Sequence, residues 1–231
     1  MKRFYKAVTT AQQGSGWQVL LDGRAIKTAG KRAQIVPTAA LAQAMAAEWA
    51  DQGEDINPAA FSFRDTADYA LDVIAQDRAD AAARLLPYGE TDTLCYRADD
   101  GEALLARQAQ VWEPLLAAAE QRWDIHFTRI CGVIHRPQPA ETMARLTSVL
   151  AAQDDFTLAA LRTLAGLAAS LVIALAAIEP DADVAALWDA ANLEEDWQAE
   201  LWGKDDEALA LRALRFKAFA AGVRFAGLVR G

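Results

Sequence analysis

The texture of the chain changes once, near Asn57-Pro58, and that change limits what it can build. Before it, Phe4 to Val8, Trp17 to Leu21, Ala25 to Thr28 and Gln34 to Val36 are short β-prone runs separated by turn residues. Asp22-Gly23 is the strongest hairpin signal among them, because a tight two-residue turn needs positive φ at both central positions. Gly14-Ser15-Gly16 leads straight into the strand-like Trp17, so it reads as a hairpin turn rather than a phosphate-cradling loop. Thr38 then caps a helix with Leu41, Met45 and Trp49 on one stripe and Gly53 as its stop.

After Pro58 the apolar residues recur with helical period, over about 65–76, 78–86, 101–122, 139–152, 156–178, 182–202 and 205–229. Alanine fills 53 of the 231 positions, which favours helix strongly. Pro114 is expected to kink or split the 101–122 segment. Thr91 to Arg97 and Ile125 to Ile134 read as extended interruptions. The last segment carries two apolar stripes, Leu209, Ala213, Phe216, Ala220, Val223 and Leu211, Leu214, Ala218, Ala221, Phe225, and is therefore expected to be largely buried. The fold class expected is α+β: a β-rich N-terminal domain with one helix over 1–58, then a larger helical, orthogonal bundle-like domain over 59–231.

Charge narrows the function. With 23 basic and 32 acidic side chains the net charge is -9, which argues against nucleic acid and anionic membranes as partners. The first 36 residues run against this trend, with seven basic side chains and Asp22 as the sole acid, so two surfaces of opposite sign are expected. The longest uncharged run, Thr163 to Ile178, is too short to span a bilayer. Two cysteines, Cys95 and Cys131, without CxxC spacing suit a reducing compartment, and the opening residues lack an apolar leader, so a cytoplasmic location is expected.

Catalytic patterns are scarce. With only His126 and His135 present, histidine-based acid/base chemistry has little to work with, and Cys131 with His135 falls about two ligands short of a zinc site. No metal, cofactor or small-molecule substrate is expected. Asp99-Asp100, Asp154-Asp155 and Asp205-Asp206 each stand where a helix begins, and capping accounts for them. Glu194-Glu195-Asp196 reads differently, as lying inside the 182–202 helix. There Leu193, Trp197 and Leu201 form one line, and Glu194, Gln198 and Trp202 an adjoining one. This is either a solvated acidic turn above a buried tryptophan stripe or a partner surface with aromatic anchors and a polar rim. Trp49, on its apolar stripe, reads as core.

Several strings then occur in a fixed order: RFYK at Arg3 to Lys6, LDGR at Leu21 to Arg24, EW at Glu48-Trp49, TDTLCYR at Thr91 to Arg97, Q-x-x-x-W-x-P-L at Gln108 to Leu115, and LEEDWQ-x-x-x-WG at Leu193 to Gly203. Together they resemble the assembly chaperones that act on the alpha subunit of the catalytic head of the F-type ATP synthase. The resemblance implies a β-rich N-terminal domain, a helical C-terminal domain, no enzymatic activity, and binding of the unassembled alpha subunit so as to shield its subunit interface. Carried over by position, it points to Glu195 with its neighbours Glu194 and Asp196 for partner binding, and to Trp49 for fold integrity. The partner-binding set is then Glu194, Glu195, Trp197, Gln198 and Trp202, and the structural set is Trp49, Asp92 and Trp112. This chain departs from the family in having Phe61-Ser62-Phe63 where a Met-Pro segment is frequent. The absence of the presequence seen in mitochondrial relatives implies a bacterial member.

Two other readings compete. A small enzyme would use Asp92, Tyr96 and Arg97, although Asp92 between two threonines has the pattern of a turn or cap residue. A generic scaffold would bind through Lys27, Lys31 or Arg32 of the basic N-terminal stretch, and its binding would weaken with salt.

Overall fold

The structure, a computed structural model, describes residues 1–132, 134–203 and 205–231. Contacts divide the chain into two compact units. The first comprises Met1–Arg78, Asp154–Ala160 and Ala221–Gly231, the second Ala79–Gln153 and Leu161–Ala220. The architecture is α+β, with a small N-terminal sheet followed by a predominantly helical chain.

In the first unit, β1 (Val8–Gln13), β2 (Gly16–Leu21) and β3 (Arg24–Ala25) form an antiparallel sheet in that order. The pairing Gln13↔Gly16 leaves Gly14-Ser15 as a two-residue turn, and Leu21↔Arg24 leaves Asp22-Gly23. Asp22 and Gly23 have φ of 49° and 77°, the double positive φ that closes a hairpin without splaying its strands. The Asp22 carboxylate also accepts from the Lys6 and Ala7 backbone amides, at 3.1 and 2.8 Å. β1 starts at Val8, four residues later than expected, because the chain before it is engaged elsewhere: the Arg3 amide donates to the Glu54 carbonyl at 2.8 Å. The Gln34 to Val36 run contributes a single bridge, Trp17↔Val36, rather than a strand.

Thr38 caps α1 (Ala39–Ala50), its hydroxyl accepting from the Leu41 amide at 3.1 Å. The helix stops at Asp51, two residues before Gly53. Trp49 is buried between Tyr5 and Phe61, with ring centroids 5.5 and 4.5 Å away, and its carbonyl accepts from the Tyr5 hydroxyl at 2.6 Å. α2 (Ser62–Asp72) lacks a side-chain cap of its own. Glu48 of α1 supplies one, accepting from the Phe63 and Arg64 amides at 2.6 and 2.9 Å. Burial raises the Glu48 pKa. The family departure at Phe61-Ser62-Phe63 places both phenylalanines in the core.

The rest of the chain carries the remaining helices. These are α3 (Arg78–Ala83), α4 (Pro87–Glu90), α5 (Ala103–Trp123), α6 (Ala140–Ala151), α7 (Asp155–Ala168), α8 (Leu171–Ala177), α9 (Val184–Ala191), α10 (Leu193–Trp202) and α11 (Asp206–Arg230). The two extended interruptions find each other, as β4 (Tyr96–Arg97) pairs in parallel with β5 (Ile130–Cys131). Pro114 does not split α5, since Trp112 and Leu116 on either side of it are wholly buried and hold the helix in place. The expected 156–178 helix is broken at Ala169, where φ is 48°, and Ser170 caps the new start by accepting from the Ile173 amide.

Candidate partner-binding surface

The expected 182–202 helix is also broken, and this changes the meaning of its acidic cluster. Asn192, 3% exposed, turns inward and donates from its side-chain amide to the Trp188 carbonyl at 2.7 Å, ending α9. α10 restarts at Leu193, so Glu194, Glu195 and Asp196 are its first turn rather than an interior stretch. Helix capping electrostatics therefore do favour this cluster, contrary to the expectation from spacing.

Each carboxylate of α10 also has a partner within the second unit. Glu194 accepts from the Gln108 side chain of α5 at 2.7 Å. Glu195 lies 3.7 Å from Arg215 of α11, and Asp196 pairs with Arg212. Glu200 pairs with Arg107 of α5 through two bonds at 2.5 and 2.8 Å, and the Arg107 guanidinium lies 5.5 Å from the Trp197 ring centroid. The acids brace α10 against its neighbours.

Burial falls along α10. Leu193 is buried and Trp197 half-buried, while Leu201 and Trp202 are 59% and 79% exposed. The first half of α11 also carries exposed leucines, Leu209, Leu211 and Leu214. The expectation that this helix is buried on two faces holds only for its later turns, where Phe219, Phe225 and Ala226 are fully enclosed. Arg212 and Arg215 directly follow the exposed Leu211 and Leu214 and are drawn to the α9 and α10 acids, since Arg212 also pairs with Asp189 at 3.1 Å. Those arginines were the sequence signal: an apolar stripe with cations set into it is not packed inside a core. The five expected residues divide, with Glu194, Glu195, Trp197 and Gln198 on the braced part and Trp202 at the open end.

The structural set occupies different ground. Trp112 is enclosed, its indole N–H donating to the Ala190 carbonyl at 2.8 Å. Asp92 is also enclosed and accepts from the Leu94 and Val172 amides at 3.1 and 3.0 Å, tying the start of α8 to the Thr93 turn. Burial pushes its carboxyl up to about 6. Asp92, Tyr96 and Arg97 do not converge. The Tyr96 hydroxyl meets His135 Nδ1 at 3.1 Å, and Arg97 pairs with Glu113 at 3.2 Å while facing the Trp112 ring. Among the described residues no group of three or more His, Cys, Asp or Glu is placed to hold a metal ion, and no helix is long and apolar enough to cross a membrane.

Comparison with known proteins agrees with the motif order. The family described as ATP12 chaperone protein matches residues 2–120. The mitochondrial atp12 protein of Schizosaccharomyces pombe is 23% identical over 220 residues, covering 90% of this chain and 75% of that protein. The crystal structure of Atp12 from Paracoccus denitrificans superimposes with a TM-score of 0.92 at 38% identity, covering 99% of this chain and 98% of that one. A point variant of the same Paracoccus protein gives the same score and identity. These relatives are named as chaperones or Atp12 proteins, not as enzymes, and the chain belongs to the ATP12 chaperone family, the chaperones of ATP synthase assembly.

Proposed function

We propose that this chaperone binds the unassembled alpha subunit of the ATP synthase catalytic head through the α10–α11 face, in the bacterial cytoplasm. The observation that carries this reading is the exposure of Leu201, Trp202, Leu209, Leu211 and Leu214 on two successive helices joined by the Asp196–Arg212 and Glu195–Arg215 pairs. Apolar side chains grouped in solvent mark an interaction surface, and a tryptophan among them is a typical anchor. Family membership and the likeness to a Paracoccus protein support the client class and the bacterial setting.

An alpha subunit awaiting its neighbour exposes the surface it will later bury, and that surface is liable to self-association. Covering it needs moderate affinity. Each leucine newly buried contributes about 1.5–3 kcal/mol, so a handful of side chains suffices before ordering costs are subtracted. The braced acids and Gln198 form a polar rim, which permits specificity without permanence. Release needs no nucleotide, because an incoming beta subunit that competes for the same client surface displaces the chaperone by mass action.

The test is co-expression with the cognate alpha subunit followed by pull-down, with wild type, Glu195→Lys and Trp202→Ala. The expected result is capture by wild type, weak capture by Trp202→Ala and reduced capture by Glu195→Lys. No capture by wild type overturns the client; equal capture by all three overturns the face.

A further inference from the structure

α10 is held differently from the helices beside it. α9 buries Leu187, Trp188 and Ala190, and α5 buries Trp112, Leu116 and Ala119. Among the described residues α10 buries Leu193 alone, while Trp197 and Ala199 are half-buried and the far end lies in solvent. Leu193 is the first residue of the helix, so residues 194–202 carry no enclosed apolar side chain.

What holds residues 194–202 is charge. Glu195 meets Arg215 at 3.7 Å, Asp196 pairs with Arg212, and Glu200 accepts two bonds from Arg107, whose guanidinium also faces the Trp197 ring. Glu194 adds a hydrogen bond from the Gln108 side chain at 2.7 Å. Both members of each ion pair touch solvent, so each pair contributes little and salt screens it. With 10 residues, α10 is also shorter than the roughly 12–15 that a helix needs to persist alone in water.

The two ends of the helix let it leave by itself. Asn192 is enclosed and its side-chain bond to the Trp188 carbonyl lies within the end of α9, so α9 remains closed without α10. Gly203 follows α10 at φ 98° and ψ 163°, a conformation essentially confined to glycine, and a Cβ built there meets nothing within 4 Å.

We propose that residues 194–202 form an ionically latched strap, which releases from α5 and α11 and melts while α5 and α9 stay folded, with ionic competition setting how often it opens. Release carries away Glu194, Glu195, Asp196 and Glu200 and leaves the guanidinium groups of Arg107, Arg212 and Arg215 on the surface that α10 covered. Arg212 then retains Asp189 of α9 at 3.1 Å, and Arg215 the Leu167 carbonyl at 3.0 Å. The strap thereby switches that surface from charge-balanced to cationic. The assignment concerns the free chain and is independent of the α10–α11 client reading.

The test is hydrogen exchange of the full chain, without any partner, at about 0.01 M and about 1 M sodium chloride, where the screening lengths are about 30 and 3 Å. Amides of residues 196–202 lose protection about tenfold between the two, while those of Leu187 to Ala190 and Trp112 to Leu116 keep theirs. Arg107→Glu opens the strap at low salt, and the exchanged pair Arg107→Glu/Glu200→Arg closes it again, a rescue that an apolar contact would not give. The proposal is overturned by exchange in residues 196–202 as slow as in α9 at both salt levels, or by exchange that salt does not change. It is equally overturned by a matching loss of protection in α5 and α9, or by an exchanged pair that is folded but as open as Arg107→Glu.

Discussion

In the first unit, around a groove lined mostly by residues 21–29 and 64–73, Asp22, Asp68 and Asp72 are held mainly by backbone amides and neutral side chains, whereas on α10 Glu195, Asp196 and Glu200 are held by arginines. The two solutions leave opposite remainders. A carboxylate satisfied by amides keeps its negative charge and consumes no cation, so these aspartates leave that part of the surface charged. A carboxylate satisfied by arginine cancels it, so the α10–α11 face presents Trp202 and its leucines with little charge of its own. Acid counts alone describe both regions alike; the hydrogen-bond partners separate carboxylates that keep their charge from carboxylates offset by arginine.

The comparison also distinguishes tryptophans that hold the fold from one that does not, and this yields the largest expected effect. Trp49→Arg places a second cation beside Arg64 in a buried aromatic cluster and should cost about 3–5 kcal/mol in urea unfolding. Trp202→Ala, at 79% exposure, should stay within about 0.5 kcal/mol of wild type. Similar losses for both would erase the distinction.

Asp92 is a third kind of carboxylate, held by amides like those of the groove but fully enclosed. Asp92→Ala leaves the Leu94 and Val172 amides without acceptors, a loss of about 1–3 kcal/mol for each. Its pH dependence follows from the direction of its pKa shift. The folded carboxyl, at about 6 against an ordinary 3.8, holds its proton more tightly than the unfolded one. Protonation therefore favours the fold, and that advantage, full below about pH 4, is lost as pH rises through about 6, by about 3 kcal/mol. Measured against the non-titrating Asp92→Asn, wild-type stability should fall over that interval and level off above it. A flat difference would place the carboxyl in contact with solvent.

Leu211→Asp combined with Leu214→Asp should reduce capture of the alpha subunit about 100-fold while changing thermal stability little, since both side chains are already in water. A large loss of stability would mean that this stripe is packed in the free protein. The smallest effect belongs to Glu195→Lys, whose exposed pair with Arg215 contributes less than about 1 kcal/mol to folding, so any loss of capture reports on the rim rather than on unfolding.

Much of the fold is legible in the residues. Asp22-Gly23 and Gly14-Ser15 mark both hairpins, Thr38 marks the start of α1, and the two extended interruptions mark a pair of strands. The helix breaks are not legible, because Asn192 and Ala169 carry no strong breaking propensity; a buried side-chain bond to the Trp188 carbonyl and a positive φ stop the helices there. Spacing alone therefore places the acidic cluster inside a helix, whereas it forms the first turn of α10. The exposure of the first half of α11 is hidden for a different reason. Periodicity reports which residues share a face, not whether another element covers it, and only the interleaved Arg212 and Arg215 hinted that none does.

If the client sits on the α10–α11 face, hydrogen exchange of the chaperone with and without purified alpha subunit will report it there. The expected result is protection concentrated in residues 197–216 and absent in the Leu211→Asp/Leu214→Asp variant. Bound alpha subunit with protection elsewhere and none in residues 197–216 would contradict it.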